Sequence, residues 1–230
     1  MSSVRYDSVM SQELWTAVDQ YINNIAIGGD AALEAASEAA VAAQLPPISV
    51  TPAHGKLLHL MARAQGARRI LEIGTLAGYS TIWLARAVPA GGRVVTLEAN
   101  PMHADIARAN LTRAGVADRV DIRLGKALET LPQLAVENQD PFDFAFIDAD
   151  RMNLAEYFDW AVKLAHAGSV IIVDNVVRKG GVIDASSEDA NIKGVRRFAE
   201  RLSADSRVTA TMVQTVSAKG YDGFAMALVV

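Results

Sequence analysis

The sequence predicts an α/β fold built on one mostly parallel sheet with helices on both faces. Three observations carry this. From residue 69 onward, short apolar runs alternate with amphipathic helical stretches, the pattern of parallel strands joined by right-handed crossovers. The first run, Arg69-Ile-Leu-Glu-Ile73, passes through a glycine turn into a helix, Tyr79–Val88, an arrangement that gathers backbone N–H groups where a ligand can approach. The last two strands are separated only by Lys219-Gly-Tyr-Asp-Gly223, too short for a crossover helix, so the final strand enters antiparallel as a hairpin.

Leu14, Val18, Tyr21/Ile22 and Ile25 recur at helical spacing within residues 7 to 28 and form one apolar stripe. Gly28-Gly29 breaks that helix, Asp30 caps an alanine-rich one over Ala31–Gln44, and Pro46-Pro47 ends it. Residues 1–45 thus read as a helical extension outside the sheet: a cover, a dimerisation arm or inert packing. Thr51-Pro52 opens the next helix with a hydroxyl cap and a proline in the first turn, and Leu57, Leu58, Met61 and Ala64 supply its buried face. Strands follow at Arg69–Ile73, Arg93–Glu98, Val120–Leu124, Phe142–Asp148 and Ser169–Asp174. Between them lie helices near Tyr79–Val88, Pro101–Ala114, Ala127–Leu134 and Leu154–Ala165. A helix over Ala190–Leu202 precedes the hairpin strands Val208–Val213 and Gly223–Val230. No repeat or low-complexity linker interrupts the pattern, so residues 1–230 read as a single domain with its core over 47–230.

Composition narrows the function. With 51% hydrophobic residues in 230 the chain can bury a large core. A net charge of −4, with no Lys/Arg run longer than two, opposes a protein that grips nucleic acid through phosphates. The absence of cysteine excludes disulfide scaffolds, thiolate metal sites and cysteine nucleophiles. Met1-Ser-Ser-Val-Arg-Tyr-Asp7 lacks the apolar centre of a signal peptide, and no apolar run reaches the ~18 residues of a membrane span. A cytoplasmic protein with no membrane partner is expected.

In an open parallel sheet, ligands bind beyond the carboxyl ends of the strands. The first end carries Glu72, Gly74 and Gly78 as Glu-x-Gly-x-x-x-Gly, which differs from the dinucleotide fingerprint Gly-x-Gly-x-x-Gly. Glu72 would repel a pyrophosphate but suits a ligand bearing an ammonium and a sulfonium, S-adenosylmethionine. The second end places Glu98 where a carboxylate can accept both hydroxyls of a ribose. At the third, Leu124-Gly-Lys-Ala127 leaves room for an adenine ring against backbone. The fourth and fifth ends carry Asp148, Asp150, Asp174 and Asn175. If those strands are neighbours, Asp148, Asp174 and Asn175 converge as oxygen donors, a set that suits Mg²⁺, Ca²⁺ or Mn²⁺ better than Zn²⁺.

These motifs resemble the cation-dependent, S-adenosylmethionine-dependent O-methyltransferases, a family that includes catechol and caffeoyl-CoA O-methyltransferases and bacterial relatives. The resemblance runs from about Pro47 to the C-terminus. It is carried by Leu71-Glu-Ile-Gly-Thr75, Gly78-Tyr-Ser-Thr81, Thr96-Leu-Glu98, Phe146-Ile-Asp-Ala-Asp150, Val173-Asp-Asn175 and Gly220-Tyr-Asp-Gly-Phe224. It implies the Rossmann-like class I methyltransferase fold, seven strands ordered 3-2-1-4-5-7-6 with strand seven antiparallel, and a homodimer. It also implies that Glu72 and Ser80 hold the methionine end of the donor, helped by Val50 and the Gly74-Thr75 backbone. Glu98 would take the ribose, and Gly125, Ala127 and Asp150 would border the adenine. Thr51, Tyr79, Ala99 and Asp148 complete the donor site so implied. S-adenosylhomocysteine (SAH) would be the product, and Asp148, Asp174 and Asn175 match the family's metal ligands.

One position departs from the family, whose Asp-Ala-Asp-Lys reads here as Asp148-Ala-Asp-Arg151. A guanidinium stays protonated, so Arg151 cannot replace the lysine as a base. Either the metal alone acidifies the hydroxyl and Arg151 stabilises the phenolate, or another group such as His54 accepts the proton. Asp148 and Arg151 are thus the candidate catalytic pair. The expected reaction is in-line methyl transfer to one hydroxyl of a catechol-like or vicinal-diol acceptor. The segment Val176–Asp184 is expected as a flexible acceptor loop, with Arg178/Lys179 facing an acidic or CoA-like acceptor or simply solvent. Three alternatives stand beside this reading: a nicotinamide-dependent oxidoreductase, a nucleic-acid methyltransferase, and a non-catalytic donor-binding protein in which Arg151 has ended catalysis.

Overall fold

A computed structural model describes residues 12–137 and 140–230. Residues 7–11 of the expected first helix, and the stretch inspected for a signal peptide, lie outside the described residues. The chain begins with α1 (Gln12–Ile22), continued by a π-helical turn at Asn23–Ile27, then α2 (Ala31–Ala42) and α3 (Pro52–Gln65). The sheet strands β1 (Arg69–Ile73), β2 (Arg93–Glu98), β3 (Val120–Leu124), β4 (Phe142–Ile147) and β5 (Ala165–Asp174) alternate with α4 (Tyr79–Ala87), α5 (Pro101–Arg113), α6 (Ala127–Glu137) and α7 (Leu154–Lys163). The chain closes with α8 (Ala190–Ala204), β6 (Val208–Ser217) and β7 (Gly220–Val229). The strand order is 3-2-1-4-5-7-6, parallel except for β7, which runs antiparallel to both β5 and β6.

Strand alternation divides the core between the two faces of the sheet. Leu71, Ile73, Ala145, Ile147, Ile171 and Val173 pack toward α7 and α8, where Phe158 meets Phe198 edge-on at 5.5 Å. Ile70, Val94, Phe144, Phe146 and Ile172 pack toward α3 and α4, against Leu58, Ile82 and Trp83. Both faces being covered explains why the parallel strands read as unbroken apolar runs. The expected caps form. Asp30 accepts from Ala32 N and Leu33 N at 3.1 Å, Thr51 from His54 N at 3.3 Å, and Asn100 from Met102 N at 2.9 Å. Asp30 also pairs with Arg86 at 2.6 Å, tying α2 to α4.

One expectation changes. The hairpin is tighter than foreseen, because β6 runs to Ser217 and β7 starts at Gly220, leaving a two-residue connection. The stripe of α1 is not buried within the chain: Leu14, Val18, Tyr21 and Ile25 are 49%, 46%, 64% and 65% exposed. α1 instead docks on the hairpin with its polar side, Gln12 donating to Ser217 O and Ala218 O and Asp19 accepting from Ala218 N at 2.7 Å.

Candidate active site

The carboxyl ends of β1, β2, β4 and β5 open into one cavity of about 1190 Å³. Its lining includes Val50, Thr51, Gly74, Thr75, Tyr79 and Ser80 from the first half of the chain. Glu98, Ala99, Gly125 and Ala127 join them from β2 and the loop after β3, and Asp148, Asp150, Arg151, Asp174 and Asn175 from β4 and β5. Of the residues singled out in the sequence for donor or metal, all but Glu72 reach this one space.

Glu72 is the exception. It is fully buried behind the wall, accepting from Ser80 Oγ at 2.6 Å, Thr81 Oγ1 at 2.5 Å and Thr96 Oγ1 at 2.7 Å. Glu72 thus sits behind Ser80, its hydrogen-bond partner, which does face the cavity. Burial lifts the Glu72 carboxyl to about 7 against the pull of the three hydroxyls. The turn after β1 closes on Gly74, whose φ is +101°. A Cβ there would lie 2.1 Å from the Asp148 carbonyl oxygen, so only glycine lets the ends of β1 and β4 meet this closely. Glu98 accepts from Leu76 N at 2.8 Å and Asn100 N at 2.9 Å, which fixes its carboxylate at the cavity edge with lone pairs to spare.

At the other end of the cavity, β4 and β5 pair in parallel, which brings Asp148, Asp174 and Asn175 to neighbouring strand ends. Burial raises both aspartates. Asp174 reaches about 8, with the Asp148 charge adding to the effect, while Asp148 is held back by Arg151. Asn175 has a left-handed φ of +58°, and its N–H donates to Asp174 Oδ1 at 2.8 Å. Among the described residues no three His, Cys, Asp or Glu side chains are grouped to hold a metal, so the candidate set depends on the Asn175 amide oxygen as its third ligand. Arg151 Nη2 donates to Asp148 Oδ1 at 3.0 Å and to Asn175 Oδ1, and Nη1 donates to Ala149 O.

His54 lies between the Phe146 and Phe224 rings with Nδ1 3.8 Å from Asp174 Oδ2. Burial lowers its pKa to about 4, so the ring is neutral and this approach is not an ion pair. Its Nε2 is buried with no hydrogen-bond partner. The loop after β5 is less free than expected at its start, since Asp222 accepts from Val177 N and Arg178 N, both at 2.9 Å. Arg178 and Lys179 do border the cavity.

Four lining residues to which the sequence reading gave no role make polar contacts at the cavity wall. His103, in the first turn of α5, approaches Glu98 Oε1 at 3.5 Å. The Tyr157 hydroxyl and the Asn153 side chain both donate to Asp150, which also caps the turn before α7 by accepting from Asn153 N at 3.2 Å. Lys219, in the hairpin turn, donates to Pro47 O and Ser49 O and closes the cavity on the side of the N-terminal extension. A usable signal existed for His103 and Asn153: both lie just after strand ends, the side of such a sheet where ligands bind.

A 3-2-1-4-5-7-6 sheet with a glycine turn after β1 and an acidic residue ending β2 defines the class I methyltransferase architecture. The comparisons with known proteins narrow it further. A model of the O-methyltransferase family matches residues 24–227. A catechol O-methyltransferase of Niastella koreensis is 48% identical over 96% of this chain and 100% of its own. One of Mycobacterium tuberculosis is 53% identical over 92% and 94%. The crystal structure of an O-methyltransferase from Bacillus cereus in complex with SAH superposes with a TM-score of 0.94, at 56% identity over 96% of this chain and 100% of that one. The chain belongs to the O-methyltransferase family and is an S-adenosylmethionine-dependent O-methyltransferase. The nicotinamide-dependent alternative falls with that assignment.

Proposed function

We propose that the protein methylates one hydroxyl of a small catechol-like or vicinal-diol aromatic acceptor, with a divalent cation held by Asp148, Asp174 and Asn175. The observation that carries this reading is the meeting of two buried, mutually repelling carboxylates and an amide oxygen in the same cavity as the donor residues. Such an oxygen-only set suits Mg²⁺, with Mn²⁺ or Ca²⁺ as substitutes, and a cation would offset the burial that raises both aspartates and the Asp148 charge that raises Asp174 further. Bound there, the cation would supply the Lewis acidity that lets a phenolic hydroxyl ionise near neutral pH.

The chain's own residues do the rest. Ser80, held by Glu72, and the backbone around Gly74 orient the methionine end of the donor, and Glu98 takes its ribose. The Arg151 guanidinium stabilises negative charge developing on the acceptor oxygen but takes no proton. His54 is the second candidate for that proton, favoured by its neutral ring and unpartnered Nε2. A single-domain, cytoplasmic protein is part of the proposal, as is a homodimer, which the exposed apolar stripe of α1 supports.

The acceptor assignment is tested by comparing a catechol with its monomethyl ether and with phenol under one donor concentration. Methylation of the diol alone is expected. Equal rates on phenol would remove the two-oxygen acceptor from the account.

A further inference from the structure

The Arg151 guanidinium uses the same oxygens that the proposed cation site requires. Nη2 bridges Asp148 Oδ1, at 3.0 Å, and Asn175 Oδ1, two of the three expected ligands. Nη1 is anchored on the Ala149 carbonyl. The lone pairs facing Nη2 cannot be donated to a guanidinium and to a metal ion at once, and two positive charges cannot share that contact in a buried site.

Two further features show that this seat is firm at the backbone and replaceable at the side chain. The Arg151 backbone is clamped, because Gly194 of α8 packs so closely that a Cβ there would lie 2.1 Å from the Arg151 carbonyl oxygen. The guanidinium is incompletely satisfied: its Nε is buried without a hydrogen-bond partner. A buried unmet donor makes the seated rotamer costlier than one that reaches an acceptor or water. The side chain itself is 14% exposed and borders the open cavity, so it has somewhere to go.

We infer that Arg151 is an internal competitor for the divalent cation: it bridges Asp148 and Asn175 and must swing off them for a cation to bind. This rests on the cation site proposed above. Its consequence is a cation affinity weaker than the three oxygen ligands alone would give. Arg151 is then both an occupant of the ligand oxygens and, once displaced, a positive charge beside the acceptor.

The test is cation binding without donor or acceptor. Mn²⁺ affinity is read from the electron paramagnetic resonance of the free ion in the wild type, Arg151→Gln and Arg151→Lys. In parallel, the Arg151 side-chain Nε–H resonance, assigned by its loss in Arg151→Gln, is followed as Mg²⁺ is added to the wild type. Arg151→Gln is expected to bind Mn²⁺ on the order of tenfold more tightly, the size of one lost charge-assisted contact. Arg151→Lys keeps the charge but cannot bridge two oxygens with a rigid fork, so it should fall between the two. In the wild type the Nε–H resonance should move as Mg²⁺ saturates. Equal Mn²⁺ affinities in all three proteins, or a resonance that stays put at saturation, would overturn the inference and leave the cation site standing. No saturable binding in any of them would overturn the cation site, and this inference with it.

Discussion

Arg151 and Glu72 show how single side chains decide what this site can do. A protonated guanidinium at position 151 removes the usual proton acceptor but leaves a charge where the phenolate would form. Arg151→Ala should therefore lower kcat by roughly tenfold or more, the scale of one lost electrostatic contact to developing charge. Arg151→Lys should hold or raise kcat and add an alkaline limb to the pH profile, because a lysine there can lose its proton and an arginine cannot. Kinetics unchanged in Arg151→Ala would take the residue out of the mechanism. Glu72 and Ser80 can be separated in the same way. Ser80→Ala should raise the donor Kd about tenfold, since a hydrogen bond to a charged ligand is lost, with a smaller loss of stability because Glu72 keeps its bonds from Thr81 and Thr96. Glu72→Gln should instead lower stability by ~1–3 kcal/mol, because an acceptor shared by three hydroxyls, two of them buried, becomes a donor. Urea titration beside donor-binding calorimetry distinguishes the two. The sequence placed Glu72 correctly at a strand end but could not show it turned inward. Its partners Ser80, Thr81 and Thr96 arrive from a helix and a second strand, and only the folded register brings their hydroxyls together.

Among the elements, the glycine turn after β1 and the strand pair β4–β5 set the geometry of the cavity. Gly74→Ala should be severe, about 3 kcal/mol or more, since it combines a strained φ with a Cβ driven into the Asp148 carbonyl. A soluble Gly74→Ala protein melting at the wild-type temperature would show that the two strand ends need not meet. At the opposite end of the sheet His166 Nε2 lies 3.0 Å from Asp143 Oδ1. That contact holds the histidine above its ordinary value of 6.5. With the folded value raised, the pair's stabilisation is complete below about 6.5 and fades as the pH climbs through the raised value. The difference in melting temperature between wild type and His166→Gln should shrink over that range and stay constant if the pair is inert. Strand positions were legible because buried parallel strands are unbroken apolar runs. β6 was legible only to Val213: it is an edge strand, its residues Gln214 to Val216 are exposed, and no burial pattern marks its continuation. His103 and Lys219 were given no role because each sits on a helix or turn whose own pattern says surface.

The whole molecule combines a cavity closed by residues far apart in sequence with an apolar helix face left open. Lys219 bonds the hairpin to the Pro47–Ser49 backbone, and Asp19 and Ile22 of the N-terminal extension line the cavity, so the extension forms a wall of the site. The stripe Leu14, Val18, Tyr21 and Ile25 lies on the outer side of that extension. Light scattering of the wild type should give a dimer, and Val18→Asp with Tyr21→Glu should give a monomer, because charges on a buried apolar seam are costly. A wild-type monomer at all concentrations would leave the stripe without that role. The sheet order and the site's oxygen donors followed from strand alternation and from a resemblance spanning most of the chain. The contact of Arg151 with the Asp148 and Asn175 oxygens did not, because it joins residues of two strand ends through a side chain whose rotamer no pattern encodes.

The central claim is that one cavity holds methyl donor, cation and diol acceptor together. It is tested most directly by methyl transfer to a panel of catechols with Mg²⁺ and then with excess EDTA, donor binding being followed in the same samples. The account predicts methylated product with Mg²⁺, loss of product with EDTA, and donor binding that survives chelation. Product that persists undiminished in EDTA would contradict the cation site, and donor binding with no product on any diol would contradict the acceptor assignment and favour a protein that binds the donor without using it.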